Sequence, residues 1–438
     1  MAAGSCGLPK PRDRDIVDRM PLTGLLLATV VAADLAETTR SSTEFRGDRG
    51  DGVFVGDAPS SWTDEQIRWR TAIDGGGYSS PAVEGDQIWI TTASEDGHSL
   101  TGLCLSLADG SVQWSSPVFT VASPREKHLF NSYASPSVAL SPTVAYLSWG
   151  SDGLAAVDRE TFAIRWVRRD LPTNHYRGPG SSPILNGDHT RLFQIYDGYD
   201  FQYVECLDAA DGRTIWRTHR PHNYHTDDGD RKKAYATPLL VDTGGDELLI
   251  APTSYGCFAY EPATGRERWR VRYDQFSTAA RPVFDGERLY VTTGFGKGNL
   301  LAIRPGGQGD VTETHVAWYE TRTMPSKPSP IVFGGRVYAL NDRGVLITLD
   351  ATTGERLAQT RLSGNYSASP ILLRRPAGDA VLLLLDESGQ ALAVSPGDDP
   401  EIVAESRLDD GVLASPVAIG DRLLVRTRTE LLSIGTKE

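Results

Sequence analysis

Seven polar residues lie shortly before a recurring Ser/Thr-Pro step, and they are the first candidates for binding chemistry. They combine amide, phenol, imidazole and cationic side chains, which are the groups that converge in pockets for polar ligands. Their cationic members suit an anionic ligand, because hydrogen bonds between ionised groups are strong. The alternative is that all seven only satisfy neighbouring backbone groups and water. The candidates are Asn131, Tyr133, His175, Arg177, Lys233, Arg281 and Asn365.

The polar segment at residues 218–235 is a second candidate, because it carries imidazole and carboxylate groups close together. Such groups in one loop can bind Zn²⁺ or Ca²⁺. Their spacing matches no established ligand motif, so a solvated polar loop is the competing interpretation. The candidate metal ligands are His219, His222, His225, Asp227, Asp228 and Asp230.

The cysteines and one glycine-rich segment carry no recognisable reactive motif. Cys6, Cys104, Cys206 and Cys257 form no CxxC pair and no Cys/His spacing typical of a zinc site. We predict that the last three are small, buried apolar residues. Residues 304–315 (RPGGQGDVTETH) lack the GKS/T ending of a phosphate loop, so we predict an extended hairpin turn there.

The segments that carry these candidate side chains belong to sequence repeats. A Ser/Thr-Pro step, two apolar runs and a turn rich in Asp and Thr-Gly recur eight times, with Arg281 once in place of Ser or Thr. A period of roughly 40–50 residues with four short strands is the signature of propeller blades. The prolines of the step are Pro81, Pro136, Pro183, Pro238, Pro282, Pro330, Pro370 and Pro416.

The pattern predicts an all-β fold, an eight-bladed β-propeller of four-stranded antiparallel blades. The last repeat, residues 411–435, shows only three strand patterns. A lone strand pattern, IRWRTAI, lies at residues 67–73, and we predict that it closes the eighth blade and removes an open sheet edge. Tryptophans that begin outer strands are expected to pack between blades. They are Trp114, Trp166, Trp216, Trp269 and Trp318.

The N-terminal part of the chain has the pattern of a targeting segment. Basic residues precede an apolar run that ends in Val31-Ala32-Ala33, which fits a signal-peptide cleavage site. We therefore predict a signal peptide or N-terminal anchor at residues 1–33, and Met20 is an alternative start. No cysteine follows the apolar run, so the sequence does not support a lipid anchor. A periplasmic or secreted location follows, without any other membrane span.

Two further segments complete the predicted organisation. Residues 34–62 are expected to be an N-terminal extension, and residues 63–438 the propeller. The chain carries 44 basic and 57 acidic residues, a formal charge of −13. This balance argues against nucleic-acid binding, which needs clustered Lys and Arg. It suits a soluble protein that resists self-association, and we expect a monomer.

The pattern A-x-D-x-x-T-G-x-x-x-W, nearly complete at residues 259–269, resembles the tryptophan-docking motif of the pyrroloquinoline quinone (PQQ) repeat superfamily. The stretches FRGDRGDG, NSYASPSV, GPGSSPIL and GNYSASPIL resemble those of exported bacterial PQQ-like propellers, a family often labelled BamB-like. The resemblance extends over roughly residues 43–434. It is specific for the fold but weak for function, because such families contain both enzymes and binding scaffolds.

The resemblance implies two functions. The first is a non-catalytic exported scaffold without a cofactor, which binds a protein or a glycan, for example in envelope protein assembly. The alternative is a periplasmic dehydrogenase that uses PQQ and calcium. Such enzymes typically hold calcium with acidic and amide oxygens, use a catalytic Asp, and in many cases have a vicinal disulfide. This chain has no adjacent cysteines, and no Glu/Asn/Asp set can be carried over by motif. We therefore favour the scaffold and leave enzymatic activity open.

Overall fold

Short strands with alternating apolar residues pair into eight sheets in the computed structural model, which describes residues 40–220, 224, 226–295 and 297–436. Each sheet contains four antiparallel strands, which are consecutive in most blades, and the sheets are arranged in a ring around a channel. The predicted eight-bladed β-propeller is confirmed. Because strands of neighbouring blades pack face to face, the apolar core is divided into clusters that lie mostly between adjacent blades.

Three short strands precede the first complete blade. They are β1 (Ser41–Ser42), β2 (Val53–Val55) and β3 (Ile67–Ala72). The strands of blades 1 to 4 follow, each blade starting at the channel: β4 (Ala82–Glu84), β5 (Gln87–Ala93), β6 (Ser99–Ser106) and β7 (Val112–Thr120); β8 (Ala139–Leu140), β9 (Val144–Ser148), β10 (Leu154–Asp158) and β11 (Ile164–Arg168); β12 (Ile184–Leu185), β13 (Arg191–Asp197), β14 (Gln202–Asp208) and β15 (Thr214–His219); β16 (Leu239–Asp242), β17 (Glu247–Thr253), β18 (Gly256–Tyr260) and β19 (Glu267–Arg272).

Blades 5 to 8 continue the same order. Their strands are β20 (Val283–Phe284), β21 (Leu289–Thr292), β22 (Leu300–Ile303), β23 (Gly309–Asp310) and β24 (Val316–Glu320); β25 (Ile331–Phe333), β26 (Arg336–Leu340), β27 (Val345–Asp350) and β28 (Arg356–Arg361); β29 (Ile371–Arg374), β30 (Ala380–Leu385), β31 (Gln390–Ser395) and β32 (Glu401–Arg407); β33 (Val417–Ile419), β34 (Arg422–Arg426) and β35 (Glu430–Ile434). The described helices are short: α1 (Gly229–Lys232), α2 (Thr312–His315) and two 3₁₀ turns, Asp64–Gln66 and Gly150–Asp152.

The eighth blade is built from both ends of the propeller. Strand β3 pairs antiparallel with β35, with Ile67 opposite Ile434 and Ala72 opposite Glu430. The predicted closure by an N-terminal strand is confirmed. It leaves the ring without a gap between the first and last repeats, so no blade is left incomplete with an open sheet edge.

The predicted hairpin at residues 304–315 is also confirmed, because β22 and β24 on either side of it pair antiparallel. Part of this connection does more than turn the chain. Strand β23 pairs in parallel with the outer strand of blade 4, where Gly309 lies opposite Trp269. The long connection therefore covers the outer edge of a neighbouring sheet.

Tryptophans of the outer strands join neighbouring blades, as predicted. The indole Nε1 of Trp166 donates to the backbone oxygen of Ala209 in the next blade (3.1 Å), and its ring covers Gly212. The ring of Trp114 instead stacks on Phe162, which has a φ of 58° where the repeat has glycine. The arrangement with glycine recurs for Trp69, Trp216 and Trp318.

Seven hydroxyl groups form a ring of hydrogen bonds around the channel, which we name the hydroxyl belt. Each accepts from a backbone N–H next to the proline of the preceding blade, at 2.9 to 3.1 Å. Six of the acceptors stand directly before the proline of their repeat, and Ser137 stands directly after it. Arg281 has no hydroxyl that could accept the corresponding hydrogen bond from blade 4. Its guanidinium Nε instead donates to the backbone oxygen of Pro238 in that blade (3.1 Å). The acceptors are Ser80, Ser137, Ser182, Thr237, Ser329, Ser369 and Ser415.

The three described cysteines are free and buried, as predicted. Burial raises the pKa of the Cys104, Cys206 and Cys257 thiols to about 12, so these groups are not poised as nucleophiles. Cys104 and Cys206 face Trp114 and Trp216 across their sheets, the same position of two blades. Among the described residues, no helix has the length and apolar character needed to cross a membrane.

Removing one acceptor of the hydroxyl belt should destabilise the ring. Ser329→Ala would leave the buried backbone N–H of Arg281 without its acceptor. We expect the free energy of unfolding to fall by about 1–3 kcal/mol, as measured by chemical denaturation. The control is Ser363→Ala, which removes an exposed hydroxyl and should change stability by less than about 0.5 kcal/mol. Equal effects of the two substitutions would contradict a structural role for the belt.

Candidate functional site

The N-terminal segment at residues 41–56, the channel segment, lies across the channel. Its strand β1 pairs antiparallel with the innermost strand of blade 1, with Ser41 opposite Glu84. Its strand β2 pairs in parallel with the innermost strand of blade 7, with Val53 opposite Leu372. Residues of the predicted N-terminal extension therefore add strands to two of the sheets that surround the channel.

Glycines allow the channel segment to fold tightly around two guanidinium groups. Gly50 and Gly52 have φ values of 66° and 77°, in the region that favours glycine. A Cβ atom on Gly50 would overlap the guanidinium of Arg281, and one on Gly52 would overlap that of Arg46. The sequence FRGDRGDG is thus explained by close packing of backbone against arginine.

Arg281 joins blade 5 to the channel segment. Its side chain is buried, its Nη2 donates to Glu44 Oε1 at 2.6 Å, and its Nη1 donates to the backbone oxygen of Phe45. We predicted from the sequence that this cation could hold an anionic ligand. In the structure, the anion in contact with it is a carboxylate of the same chain.

Arg46 extends from the channel segment in the other direction. Its guanidinium donates to the backbone oxygens of Pro330 (2.9 Å) and Pro370 (3.1 Å), which belong to the Ser-Pro steps of blades 6 and 7. Burial lowers the pKa of Arg46 to about 9. Burial also raises the pKa of Glu44, against the opposing effect of Arg281. Both charges are therefore desolvated, and both depend on direct hydrogen bonds.

Four of the predicted channel residues come together on the upper face, the face at which the innermost strands begin. Asn131 Nδ2 donates to the backbone oxygen of Arg177 (2.9 Å), and Arg177 Nε donates to Asp230 Oδ1 (2.6 Å). Lys233 Nζ lies 3.4 Å from His175 Nδ1. The contacts link the loops before blades 2, 3 and 4.

Tyr133 and Asn365 lie apart from this group. The ring of Tyr133 packs against Gly97 of blade 1, with the Lys127 ammonium 5.6 Å from its centroid. Asn365 is exposed, and its backbone oxygen accepts from the N–H of Glu387 (2.8 Å). The seven predicted channel residues thus mostly form hydrogen bonds with backbone groups or with other residues of the chain. A ligand for these residues remains a prediction.

The structure does not bring the predicted metal ligands together. Asp228 Oδ1 accepts from Asp230 N (3.0 Å) at the start of α1, while Asp227 is exposed. The imidazole of His219 packs against the ring of Tyr203, with centroids 5.6 Å apart. His222 and His225 lie outside the described residues. Within the described part of the chain, no three His, Cys, Asp or Glu side chains are grouped to hold a metal.

An aromatic cluster on the upper face of blades 3 to 5 was not predicted from the sequence; we name it the aromatic surface. Its pairs Tyr176–Tyr199 and Phe276–Phe295 have ring centroids 5.6 and 5.8 Å apart. Phe295 is 61% exposed, which is unusual for a phenylalanine in contact with other aromatics. The surface comprises Tyr176, Tyr199, Phe201, Tyr255, Phe276 and Phe295.

Helix α1 joins the two halves of the aromatic surface. Gly229 packs directly on Tyr199, and the Arg231 guanidinium lies 5.6 Å from the ring of Phe276. Tyr255 has a φ of 64°, where glycine would be less strained. Three of these aromatics stand in turns next to glycine (DGYD, SYG and GFG). An aromatic at such a position is the sequence signal that could have revealed the surface.

A cavity of about 420 Å³ lies towards the opposite, lower end of the channel. Its lining is formed by the channel segment together with the innermost strands of blades 2, 3 and 4 and the loops that follow them. Asp48, Glu84, Glu247 and Arg49 contribute charged side chains to its lining, together with His189. The channel is therefore wider than the segment that lies across it.

A comparison with protein families agrees with this architecture. The model for the family described as outer membrane protein assembly factor BamB matches residues 28–194 and 200–430. These two matches cover most of the chain, including the channel segment and five of the six residues of the aromatic surface; Tyr199 lies between the two matches. The chain belongs to the BamB family.

Named BamB-family relatives match about half of the chain. The outer membrane protein assembly factor BamB of Alkalilimnicola ehrlichii is 28% identical over 232 residues, which are 52% of this chain and 51% of the relative. That of Shewanella oneidensis is 22% identical over 249 residues, 53% of this chain and 55% of the relative. The chain thus spans about half the length of the curated relatives it matches.

Solved structures show the same fold. BamB from Moraxella catarrhalis has a TM-score of 0.59 at 15% identity, covering 83% of this chain and 98% of that protein. The quinohemoprotein alcohol dehydrogenase of Comamonas testosteroni has a TM-score of 0.68 at 11% identity, covering 94% and 82%. At these identities the likeness establishes the propeller and says nothing of activity.

A PQQ-calcium group would need several oxygen ligands from the protein. Calcium takes six to eight oxygen ligands. Two of the buried carboxylates are already paired, Glu44 with Arg281 (2.6 Å) and Asp197 with Arg220 (3.0 Å). Among the described residues, no cluster of three acidic or imidazole side chains supplies a replacement.

Burial determines the protonation of Lys233 and His175. Desolvation lowers the pKa of the Lys233 ammonium to about 7, although Asp197 and Asp230 act in the opposite direction. The pKa of His175 lies well below its usual value because burial, and then the charge of Lys233, disfavour the imidazolium. The ammonium also donates to the backbone oxygen of Gly178 (2.9 Å).

Lys233 should make stability depend on pH. Its folded pKa lies below its unfolded value of 10.5, so the unfolded chain binds the additional proton between about pH 7 and 10.5 and stability rises with pH there. The contribution is at most about 1.4 kcal/mol per pH unit. Lys233→Met should remove this slope in denaturation measured across the window. Lys297→Met, at an exposed position, should retain it; an unchanged slope in K233M would refute the assignment.

Proposed function

We propose that this chain is an exported, non-catalytic scaffold that binds a protein of the cell envelope through the aromatic surface. The observation that carries the proposal is the solvent exposure of several clustered aromatic side chains on one face. Tyr199, Phe201 and Phe295 are 43%, 47% and 61% exposed. Tyrosine and other aromatics are enriched in the energetically dominant parts of protein interfaces.

The strained backbone at Tyr255 supports the same proposal. A tyrosine at a φ of 64° costs roughly 1–3 kcal/mol relative to a relaxed conformation. Its ring packs against Phe276, with centroids 6.4 Å apart. A bulky residue in a position that glycine fills more easily is expected where its side chain contributes to binding.

Membership of the BamB family indicates what kind of partner the aromatic surface binds. Its description, and the names of the relatives from Alkalilimnicola and Shewanella, assign those proteins to outer membrane protein assembly. We infer that this chain also acts in assembling envelope proteins and is located in the periplasm. The signal-like pattern at residues 1–33 supports export. The channel segment and its guanidinium contacts leave the loops of the upper face as the more accessible binding region.

Site-specific photo-crosslinking in cells tests this role. A photoreactive residue at Tyr199 or Phe295 should cross-link to one discrete protein of the outer-membrane assembly machinery, identified by mass spectrometry. The matched control is Tyr319, which is 67% exposed on the outer strand of blade 5. Equal cross-linking at Tyr319, or none at the upper positions, would contradict the proposal.

Truncation of the aromatic surface tests its energetic role. Phe295→Ala combined with Tyr199→Ala should weaken binding to the cross-linked partner by at least about tenfold, because interface aromatics commonly contribute more than 1 kcal/mol each. The same substitution at Tyr319 should leave the affinity unchanged. Circular dichroism would verify that both variants remain folded.

The dehydrogenase alternative has its own test. We expect calorimetric titration of PQQ into the protein, with and without Ca²⁺, to show no binding, because the described side chains offer no free acidic cluster. Micromolar binding that requires calcium would revive the alternative and justify a screen of alcohols.

A further inference from the structure

We propose that the channel is a binding site for an extended peptide that carries a carboxylate two residues before an arginine-glycine step, and that residues 41–56 are its ligand, supplied by the same chain. Nothing in this inference rests on the aromatic surface or on envelope assembly. Its basis is the way in which the channel segment contacts the ring.

Backbone pairing gives the segment the character of a bound peptide. Strands β1 and β2 extend the innermost edges of blades 1 and 7, and the backbone oxygen of Thr43 accepts from the N–H of Leu140 in blade 2 (2.8 Å). Addition of an extended peptide to an exposed sheet edge is a general mode of peptide recognition. Main-chain hydrogen bonds supply affinity in this mode, and side-chain contacts supply specificity.

Two side chains of the segment supply specific contacts. The Glu44 carboxylate meets the buried guanidinium of Arg281, at the one blade where the Ser or Thr of the repeat is replaced. The Arg46 guanidinium fits between the backbone oxygens of Pro330 and Pro370. Charge-assisted hydrogen bonds of this kind are strong and directional. The ring thus recognises an acidic and a basic side chain at fixed spacing.

The ring is closed by contacts that do not involve the channel segment. All seven hydrogen bonds of the hydroxyl belt lie between Ser80 and Ser415. The eighth blade is completed by β3 and β35, and the tryptophan contacts join outer strands. These contacts should keep the propeller assembled when the channel segment leaves.

The channel has room for exchange of its occupant. The cavity of about 420 Å³ lies between the segment and the innermost strands of blades 2 to 4. Its lining includes carboxylates and backbone groups as well as apolar side chains. A competing peptide can therefore approach along the open side of the channel before the segment is fully displaced.

Cutting the full-length chain tests the inference. A protease site inserted between Ser60 and Ser61 would separate the channel segment from the ring without removing it. We expect the cut protein to stay folded by circular dichroism and to take up a fluorescent peptide of residues 40–57 in a saturable manner. The uncut protein should take up at least about tenfold less at the same peptide concentration, because its own segment is linked to the site.

Peptide variants test the two specific contacts. Glu44→Gln or Arg46→Gln in the peptide should weaken binding at least about tenfold, since each alters a hydrogen bond of a buried charged group. The matched controls Asp57→Asn and Arg40→Gln alter the same charges at exposed positions and should bind like the parent peptide. Unfolding upon cutting, absence of peptide uptake, or equal affinity of all four variants would each overturn the proposal.

Discussion

Buried backbone N–H groups must find acceptors, and this requirement organises the centre of the ring. Where each innermost strand begins, the backbone turns towards the next blade, and a hydroxyl from that blade accepts its hydrogen bond. A small hydroxyl residue before or after each proline therefore joins one sheet to the next. At blade 5 the hydroxyl is replaced by Arg281, whose guanidinium reaches both Pro238 and Glu44. The one departure from the repeat thus connects the ring to the segment inside it.

Periodic features of the fold could be predicted from the sequence because every blade packs against its neighbours in the same way. The Ser/Thr-Pro steps, the docked tryptophans and the lone strand at residues 67–73 all recur or complete a recurring pattern, and all were confirmed. The path of the channel segment has no such period. Its decisive contact joins Glu44 to Arg281, 237 positions apart in the chain. The exception at Arg281 was visible in the sequence, but its partner was not.

On the upper face, too, only part of the arrangement could be predicted from the sequence. Four of the seven predicted channel residues come together, because the loops that carry them follow consecutive blades, whereas Tyr133 and Asn365 lie apart. The aromatic surface escaped prediction since three of its members occupy tight turns, where local preference favours glycine, asparagine and aspartate. Lys233 was expected at the mouth of a channel, but its burial beside His175 depends on the fold of two loops. Side chains that depart from local preference were therefore the hardest to place.

The pairing of β3 with β35 sets the order in which the molecule can assemble. The two strands belong to opposite ends of the propeller, so β3 is synthesised long before its partner; Arg70 and Glu430, which interact across this pair, are 360 positions apart. Closing so long a loop costs conformational entropy that grows slowly with length, and contacts of this kind slow folding. Until the last residues are available, blade 8 lacks a strand and the ring stays open. A chain that lacks β35 would lose the closure of the whole circle rather than a single terminal strand.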